Sequence, residues 1–408
     1  MGAYQPMSLM PTLQDEIAEW EPELIATRRD FHMHPELGLK EVRTSGIVAE
    51  RLRALGFDDV RTGIAVTGVK AVLHGGKPGR TIMLRADMDA LPIEEENTVE
   101  YRSQTAGTMH ACGHDAHTAI LLSAARILMR HRDEIPGAIV FCFQPAEEGE
   151  GGARKMIAEG VMDDPHVDAA IGLHVIQEMP LGMVNVMPGP MMAGGDVFSV
   201  TIQGKGGHAA MPHKTVDALM VAVEIVGVLQ TLVSREVEPV SPAVVTTATL
   251  HAGGTASNII ADTATFSGTT RWFDLETGDY LAQRLPALVR GIAESMRATA
   301  EVTVTRIVPP TANEPQMAAL VRSVATDIVG ADKVLSGPRT MGGEDFSEFT
   351  YHVPSCFFWV GSRDEASGKV WGHHHPRFDI DERCLAIGVE MMVRTTMRYL
   401  EQGGVVGE

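Results

Sequence analysis

Apolar residues recur at helical spacing over positions 13–29 and again over 41–55, where Gly56 ends the run. Between them Asp30-Phe-His-Met-His-Pro-Glu-Leu-Gly38 interrupts the pattern, with Pro35 and Gly38 as breakers; His32 and His34 read as structural. From residue 68 onward short apolar runs alternate with helical stretches. Strands are expected at 68–73, 81–86, 138–143 and 169–173, and helices at 119–131 and 153–159. Runs such as AIVFCF carry no polar alternation, which suits strands covered on both faces. The expected class is α/β, with a mainly parallel, doubly covered sheet.

The texture changes at GPMMAGG, residues 189–195. A strand at 196–203, a helix at 215–234, strands at 243–252 and 261–272, a helix at 276–300 and a strand at 301–307 follow. That order is a ferredoxin-like α+β unit. It reads as an insertion: residues 1–190 form the first part of the main domain, 191–308 the inserted domain and 309–408 the second part. The second part holds a helix from 314, the loop TMGGEDF, a strand at 356–360, a histidine cluster and a last helix from 381.

Composition narrows the function classes. The 408 residues exceed one ordinary core, in keeping with two domains. A net charge of −19 argues against nucleic acid and anionic membrane as partners. The most membrane-like stretch, 218–233, is interrupted by Glu224 and Gln230. The amino terminus lacks the pattern of a signal peptide, and Pro6 spoils a myristoylation match. Cys112, Cys142, Cys356 and Cys384 are too sparse for a disulfide framework, so a reducing cytoplasm is the simplest compartment.

The stretch with the densest chemistry is His110-Ala-Cys-Gly-His-Asp-Ala-His-Thr118, just before the expected 119–131 helix. Thiol, imidazole and carboxylate are metal donors, which makes Cys112 and His114 candidate ligands. Other donors fall where expected strands end: Asp87 and Asp89 after TIMLRA, Glu147 and Glu148 after AIVFCFQPA, and His174 after AAIGL. Open α/β sheets bind ligands at that carboxyl edge. Singly, each has a bland reading: a solvated Glu-Glu loop, a core histidine, a surface histidine run. Their convergence favours a site. Of two adjacent carboxylates, one can hold metal while the other faces a bound water as acid and base. In His373-His-His375 the register of any ligand is open. The inserted domain offers His208 in GKGGHAAMPH, Asn258 after a Gly-Gly turn and Arg271 at a strand end, as oxyanion donor, amide and carboxylate clamp.

The segments RRDFHMHPELGLKE, LRADMDALPI, HACGHDAHT, FQPAEEG, GLHV, GKGGHAAMPH, GGTASNIIAD, TTRWF, GGEDF and HHHPRFDIDE run nearly end to end. In that order they resemble the binuclear metallo-aminoacylase and carboxypeptidase family, in the branch of hippurate hydrolases, N-acyl-L-amino-acid amidohydrolases and auxin-conjugate hydrolases. The resemblance implies a catalytic domain carrying an inserted lid or dimerisation domain. It implies two divalent metals (manganese, zinc, cobalt or nickel) held by Cys112, His114, Glu148, His174 and His374, with the thiolate bridging and the last ligand two residues before Pro376. It makes Glu147 the general base, His208 the lid histidine that steadies the oxyanion, and Asn258 and Arg271 the residues that hold the substrate. Asp87 orients a ligand or the base; for Asp87, Asp115, His117 and Glu344 a folding role stands beside the chemical one. The implied reaction is hydrolysis of the linear amide of an N-acyl amino acid by a homodimer or homotetramer joined through the lid. The rivals are a dipeptidase, carboxypeptidase or biosynthetic deacetylase of the same fold, and a non-catalytic metal-binding protein.

Overall fold

Lys77–Asp87 is the strand around which the larger part of the chain is laid out in the computed structural model, which describes residues 9–405. The reading of the extreme amino terminus falls on residues 1–8, outside the described residues. The chain divides into two units: Met1–Gly189 with Ala312–Pro338 and Asp345–Glu408, and Pro190–Thr311 with Arg339–Glu344. The short segment Arg339–Glu344, expected to follow the resumed main domain, goes with the inserted unit.

The first unit holds an eight-stranded sheet in the order Asp59–Ile64, Gly68–His74, Pro136–Gln144, Lys77–Asp87, Ala169–Pro180, Ser355–Arg363, Val184–Asn185, Val334–Leu335. Its four central strands, from Pro136–Gln144 to Ser355–Arg363, are mutually parallel, and the first two pair antiparallel at one margin. The chain leaves Lys77–Asp87 for the neighbour on one side, Pro136–Gln144, and returns to the neighbour on the other, Ala169–Pro180. That reversal is a topological switch point, where an α/β sheet opens a crevice beyond its strand ends. The central strands are buried over 138–144, 81–87, 169–175 and 355–362 because helices cover them, with Leu9–Met33, His114–Arg130 and Arg383–Glu401 packed on one another.

Three boundaries differ from the sequence pattern for physical reasons. The helix expected at 119 begins at His114, because Gly113 adopts the left-handed conformation (φ +95°) and turns the chain into it. A side chain at 113 is excluded twice, since its Cβ would also lie 2.5 Å from a Val175 methyl. The strand expected to stop before His174 continues to Pro180 along Ser355–Arg363, so His174 lies within it, opposite Trp359. Asp59–Ile64 carries too few apolar residues to stand out as a strand; it forms by pairing with Gly68–His74.

The second unit has an antiparallel sheet in the order Ala243–Ala252, Thr263–Trp272, Gly194–Gln203, Thr299–Val308, with helices Ala218–Thr231 and Leu275–Ser295 packed on it. This is the ferredoxin-like order. Both helices start later or stop sooner than their apolar patterns suggest. Asp217 accepts the amides of Leu219 and Met220 as an N-cap, and left-handed Arg297 (φ +69°) turns the chain between the second helix and the last strand. Among the described residues, Ala218–Glu236 is long and apolar enough to cross a membrane. Its Val221, Ala222, Ile225 and Leu229 are core residues of this unit.

Candidate metal and active site

Because the helix begins at His114, His114, His117 and Thr118 occupy its first turns and face the end of Lys77–Asp87. The Thr118 hydroxyl donates to the Asp87 carbonyl (2.9 Å), and His117 Nδ1 lies 2.6 Å from an Asp87 oxygen. His114 Nδ1 faces Asp89, 2.8 Å from its carbonyl and 3.2 Å from its carboxylate. The other carboxylate oxygen of Asp89 accepts the amide of Glu148 at 3.0 Å. Asp89 therefore joins two segments that bear candidate donors. Sequence reasoning placed Asp89 at the strand end but gave it no role; the alternation Asp-Met-Asp, which sends two acids to one side of a strand, was the available signal.

With Nδ1 so engaged, His114 keeps Nε2 buried, 3.9 Å from an Asp87 oxygen and, among the described residues, without a hydrogen-bond partner. Cys112 Sγ lies 3.4 Å from His174 Nε2, and His174 Nδ1 is taken by the Val175 carbonyl at 2.7 Å. His374 Nε2 lies 3.1 Å from Glu148 Oε1. Donor atoms of Cys112, His114 and His174 lie within 4.8 Å of one another, as do those of Cys112, Glu148 and His374, and those of His114, Glu147 and Glu148. All five ligand candidates and Glu147 thus come together in the first unit. The histidine run is resolved by geometry. His373 is half-buried and accepts the Gln177 amide (3.1 Å), whereas His375 stacks on Trp371 and accepts the Arg377 amide. His374, with φ +62°, is the one that reaches the donors.

The electrostatics favour a cation. Burial, reinforced by Glu148, pushes the Cys112 thiol well up, so a thiolate at this place needs added positive charge. Burial pushes His174 well down, which leaves it neutral with a free lone pair. Burial disfavours charge on His114, but Asp87 and Cys112 outweigh it and raise its pKa, the behaviour of a group surrounded by anions. A thiolate, carboxylates and neutral imidazoles suit divalent metals, and His114 and His174 each have a second partner that fixes the tautomer.

Asp87 pairs with buried Arg85 (2.5 Å), holds His117 and has an oxygen 3.9 Å from His114 Nε2. His117 in turn accepts the amide of Val175, the residue after His174 (2.9 Å). Asp115 turns away into a buried network, 2.8 Å from Arg28 and 2.8 Å from His32, whose Nε2 lies 3.3 Å from Glu95. His34 Nδ1 meets the Asp30 carbonyl at the half-buried end of the first helix. Glu344, in the second unit, is buried and its carbonyl accepts the Thr311 hydroxyl.

In the second unit, His208 and Asn258 are brought side by side by the two-residue ladder that pairs His208 with Ile259, and the Ala209 amide donates to the Asn258 carbonyl. His208 Nδ1 accepts the Ala210 amide (3.1 Å) and the ring is exposed. Arg271 stands on another strand pair, opposite Gly195, half-buried and donating to the Thr270 carbonyl. Among the described residues it has no carboxylate within ion-pair distance.

The fold and donor set define a centre suited to divalent metals at the switch point of an α/β sheet. The profile of Peptidase family M20/M25/M40 matches residues 83–398, and the chain belongs to that family. It is similar to thermostable carboxypeptidase 2 of Saccharolobus solfataricus, 39% identical over 386 residues, covering 94% of this chain and 96% of that one. It is also similar to the IAA-amino acid hydrolase ILR1-like 4 of Arabidopsis thaliana, 38% identical over 391 residues, covering 95% and 87%. Among solved structures it is similar to the Bacillus subtilis YXEP protein, described as a dinuclear metal binding peptidase from the M20 family. That likeness has a TM-score of 0.82 at 32% identity and covers 94% of this chain and 99% of that one.

Proposed function

We propose that this protein hydrolyses N-acyl amino acids, releasing a carboxylic acid and a free amino acid, with two divalent metals held by Cys112, His114, Glu148, His174 and His374. The observation that carries the reading is Glu147 beside Glu148 at the donor cluster: metal binding alone needs one carboxylate there, and hydrolysis needs the second. Divalent cations, when bound, supply Lewis acidity and lower the pKa of water. Glu147 takes the proton of the attacking water and hands it to the leaving nitrogen. Its Oε1 lies 3.3 Å from the Asp345 amide, which steadies the carboxylate. His208 donates to the oxyanion; Asn258 and Arg271 hold the substrate backbone and carboxylate, a role for which an uncommitted guanidinium is suited. Asp87 acts through His117 on the strand that bears His174.

The relatives support the leaving group. The names of the plant hydrolase and of the carboxypeptidase share one element, an amide whose nitrogen belongs to an amino acid with a free carboxylate. The second name also keeps the peptidase reading open. Thiolate and imidazole suit zinc, cobalt or nickel, and carboxylate admits manganese. Four unpaired cysteines accord with a reducing cytoplasm. Exposed Leu219, Met220 and Val223 on one helix, beside the open edge strand Ala243–Ala252, support pairing of two copies through the inserted unit.

The test is amino-acid release from N-benzoyl, N-acetyl and longer N-acyl amino acids, with dipeptides and peptides alongside, after chelation and after return of each metal. Metal-restored release from the N-acyl compounds is expected. Cleavage of peptides alone would move the assignment to the peptidase reading, and no cleavage with metals bound would reject catalysis.

A further inference from the structure

The segment His34–Glu41 lies outside the donor set, yet it packs against the turn that carries Glu147 and Glu148. Ala146, fully buried, is held in the left-handed region (φ +55°), which a residue with a Cβ adopts only under constraint. Its amide donates to Glu41 Oε1 at 2.9 Å, while the amide of Glu148 donates to Asp89 at 3.0 Å. The backbone amides on each side of Glu147 are therefore both held by buried carboxylates from other segments. Glu41 has no exposed surface, and its second oxygen accepts the Thr67 hydroxyl at 2.5 Å. Three residues earlier Gly38 meets the same turn: a Cβ there would lie 3.2 Å from both Cα and Cβ of Ala146 and 2.4 Å from the Glu150 carboxylate. Burying a carboxylate is costly, and a neutral acceptor would satisfy one amide. Placed here, one oxygen holds the Ala146 amide, and with it the turn, while the other is satisfied by the Thr67 hydroxyl.

We infer that Glu41 is a positioning residue for the Glu147–Glu148 turn, setting through Ala146 where the base and its neighbouring ligand stand. This rests on the proposed roles of Glu147 and Glu148. Displacement of a catalytic group by about an ångström costs on the order of 100-fold in rate.

The experiment compares Glu41→Ala, Glu41→Gln and Thr67→Val with wild type in the metal-loaded protein, measuring Tm, kcat, KM and metal affinity by competition with a chelating dye. Glu41→Ala should lower kcat by about 100-fold with KM little changed, and weaken metal binding by about 10-fold because Glu148 moves. Glu41→Gln should recover most of both, since its oxygen can accept the Ala146 amide and its NH₂ can donate to Thr67. Thr67→Val should lower Tm and leave kcat and metal affinity in place. If Glu41→Ala fails to fold, Gly38→Ala tests the same contact by pressing on Ala146 without leaving a buried group unpaired, and should lower kcat at near-normal Tm. Wild-type kcat and metal affinity in Glu41→Ala would overturn the inference. So would a loss in Thr67→Val equal to that in Glu41→Ala, or unchanged kcat in Gly38→Ala where Glu41→Ala is unfolded. Loss of wild-type hydrolysis on chelation tests the underlying reading without any Glu41 variant, and metal affinity reports on Glu41 even if no substrate is cleaved, so the two failures are distinct.

Discussion

Asp89 faces His114 with two oxygens, its carbonyl at 2.8 Å and its carboxylate at 3.2 Å from Nδ1. The pairing puts the proton on Nδ1 and turns the Nε2 lone pair towards Cys112 and His174. The same carboxylate holds the Glu148 amide, so one residue orients donors from two chain segments. Asp89→Ala should weaken metal binding by about 10- to 100-fold, read by competition with a chelating dye. Wild-type affinity in that variant would show that Asp89 does not orient the donors.

Glu147→Gln separates chemistry from binding. The amide keeps the shape and the hydrogen bond from Asp345 but accepts no proton, so kcat should fall by at least about 100-fold while metal content is unchanged. Metal content by elemental analysis and turnover on an N-acyl amino acid decide it. A rate near normal removes Glu147 from the mechanism.

Much of the site was legible because donors of unusual type cluster in sequence and end apolar runs, as Cys112, His114 and the Glu147–Glu148 pair do. The alternating strands and helices and the inserted βαββαβ unit were legible from periodicity. What stayed hidden depends on three-dimensional approach. The helix start at His114 rests on a left-handed Gly113 packed against Val175, 62 residues away in a strand, and no local pattern announces it. Glu41 and His117 act on residues about 105 and 58 positions away. Their sequence context is ordinary, since a Glu before a helix and a His within one usually serve folding. The choice among His373, His374 and His375 needed the backbone, where positive φ at His374 aims it away from its neighbours.

A site completed by a second copy would show in mixtures. His208→Ala should abolish turnover by about 100-fold or more while metal stays bound. If the exposed His208 serves the partner's donors, co-folding it with Glu147→Gln places one intact set in each mixed dimer, and activity should return towards half of wild type per site. Verified mixed dimers that stay inactive would place His208 in its own chain's site.

His110, a buried histidine outside the donor cluster, makes a pH prediction of definite sign. His110 is buried with neither ring nitrogen hydrogen-bonded among the described residues, and burial pushes its pKa down to about 4. In the unfolded chain the ring titrates near ~6.5. Between those values the unfolded state binds the extra proton, so the contribution of His110 is fully present above about pH 6.5 and is lost as pH falls towards 4, by on the order of 3 kcal/mol. Asp115 acts lower: Arg28, and His32 beside it, outweigh burial and hold its carboxyl far below the ordinary range, so its contribution persists until pH falls below about 4. His110→Phe keeps the ring's bulk and removes the proton site. Urea unfolding of wild type and His110→Phe, compared at about pH 7.5 and about pH 4.5, should show a smaller acid loss in the variant. Equal losses in the two proteins would mean that His110 is solvated or hydrogen-bonded in solution, and the acid sensitivity would then belong to the remaining buried histidines.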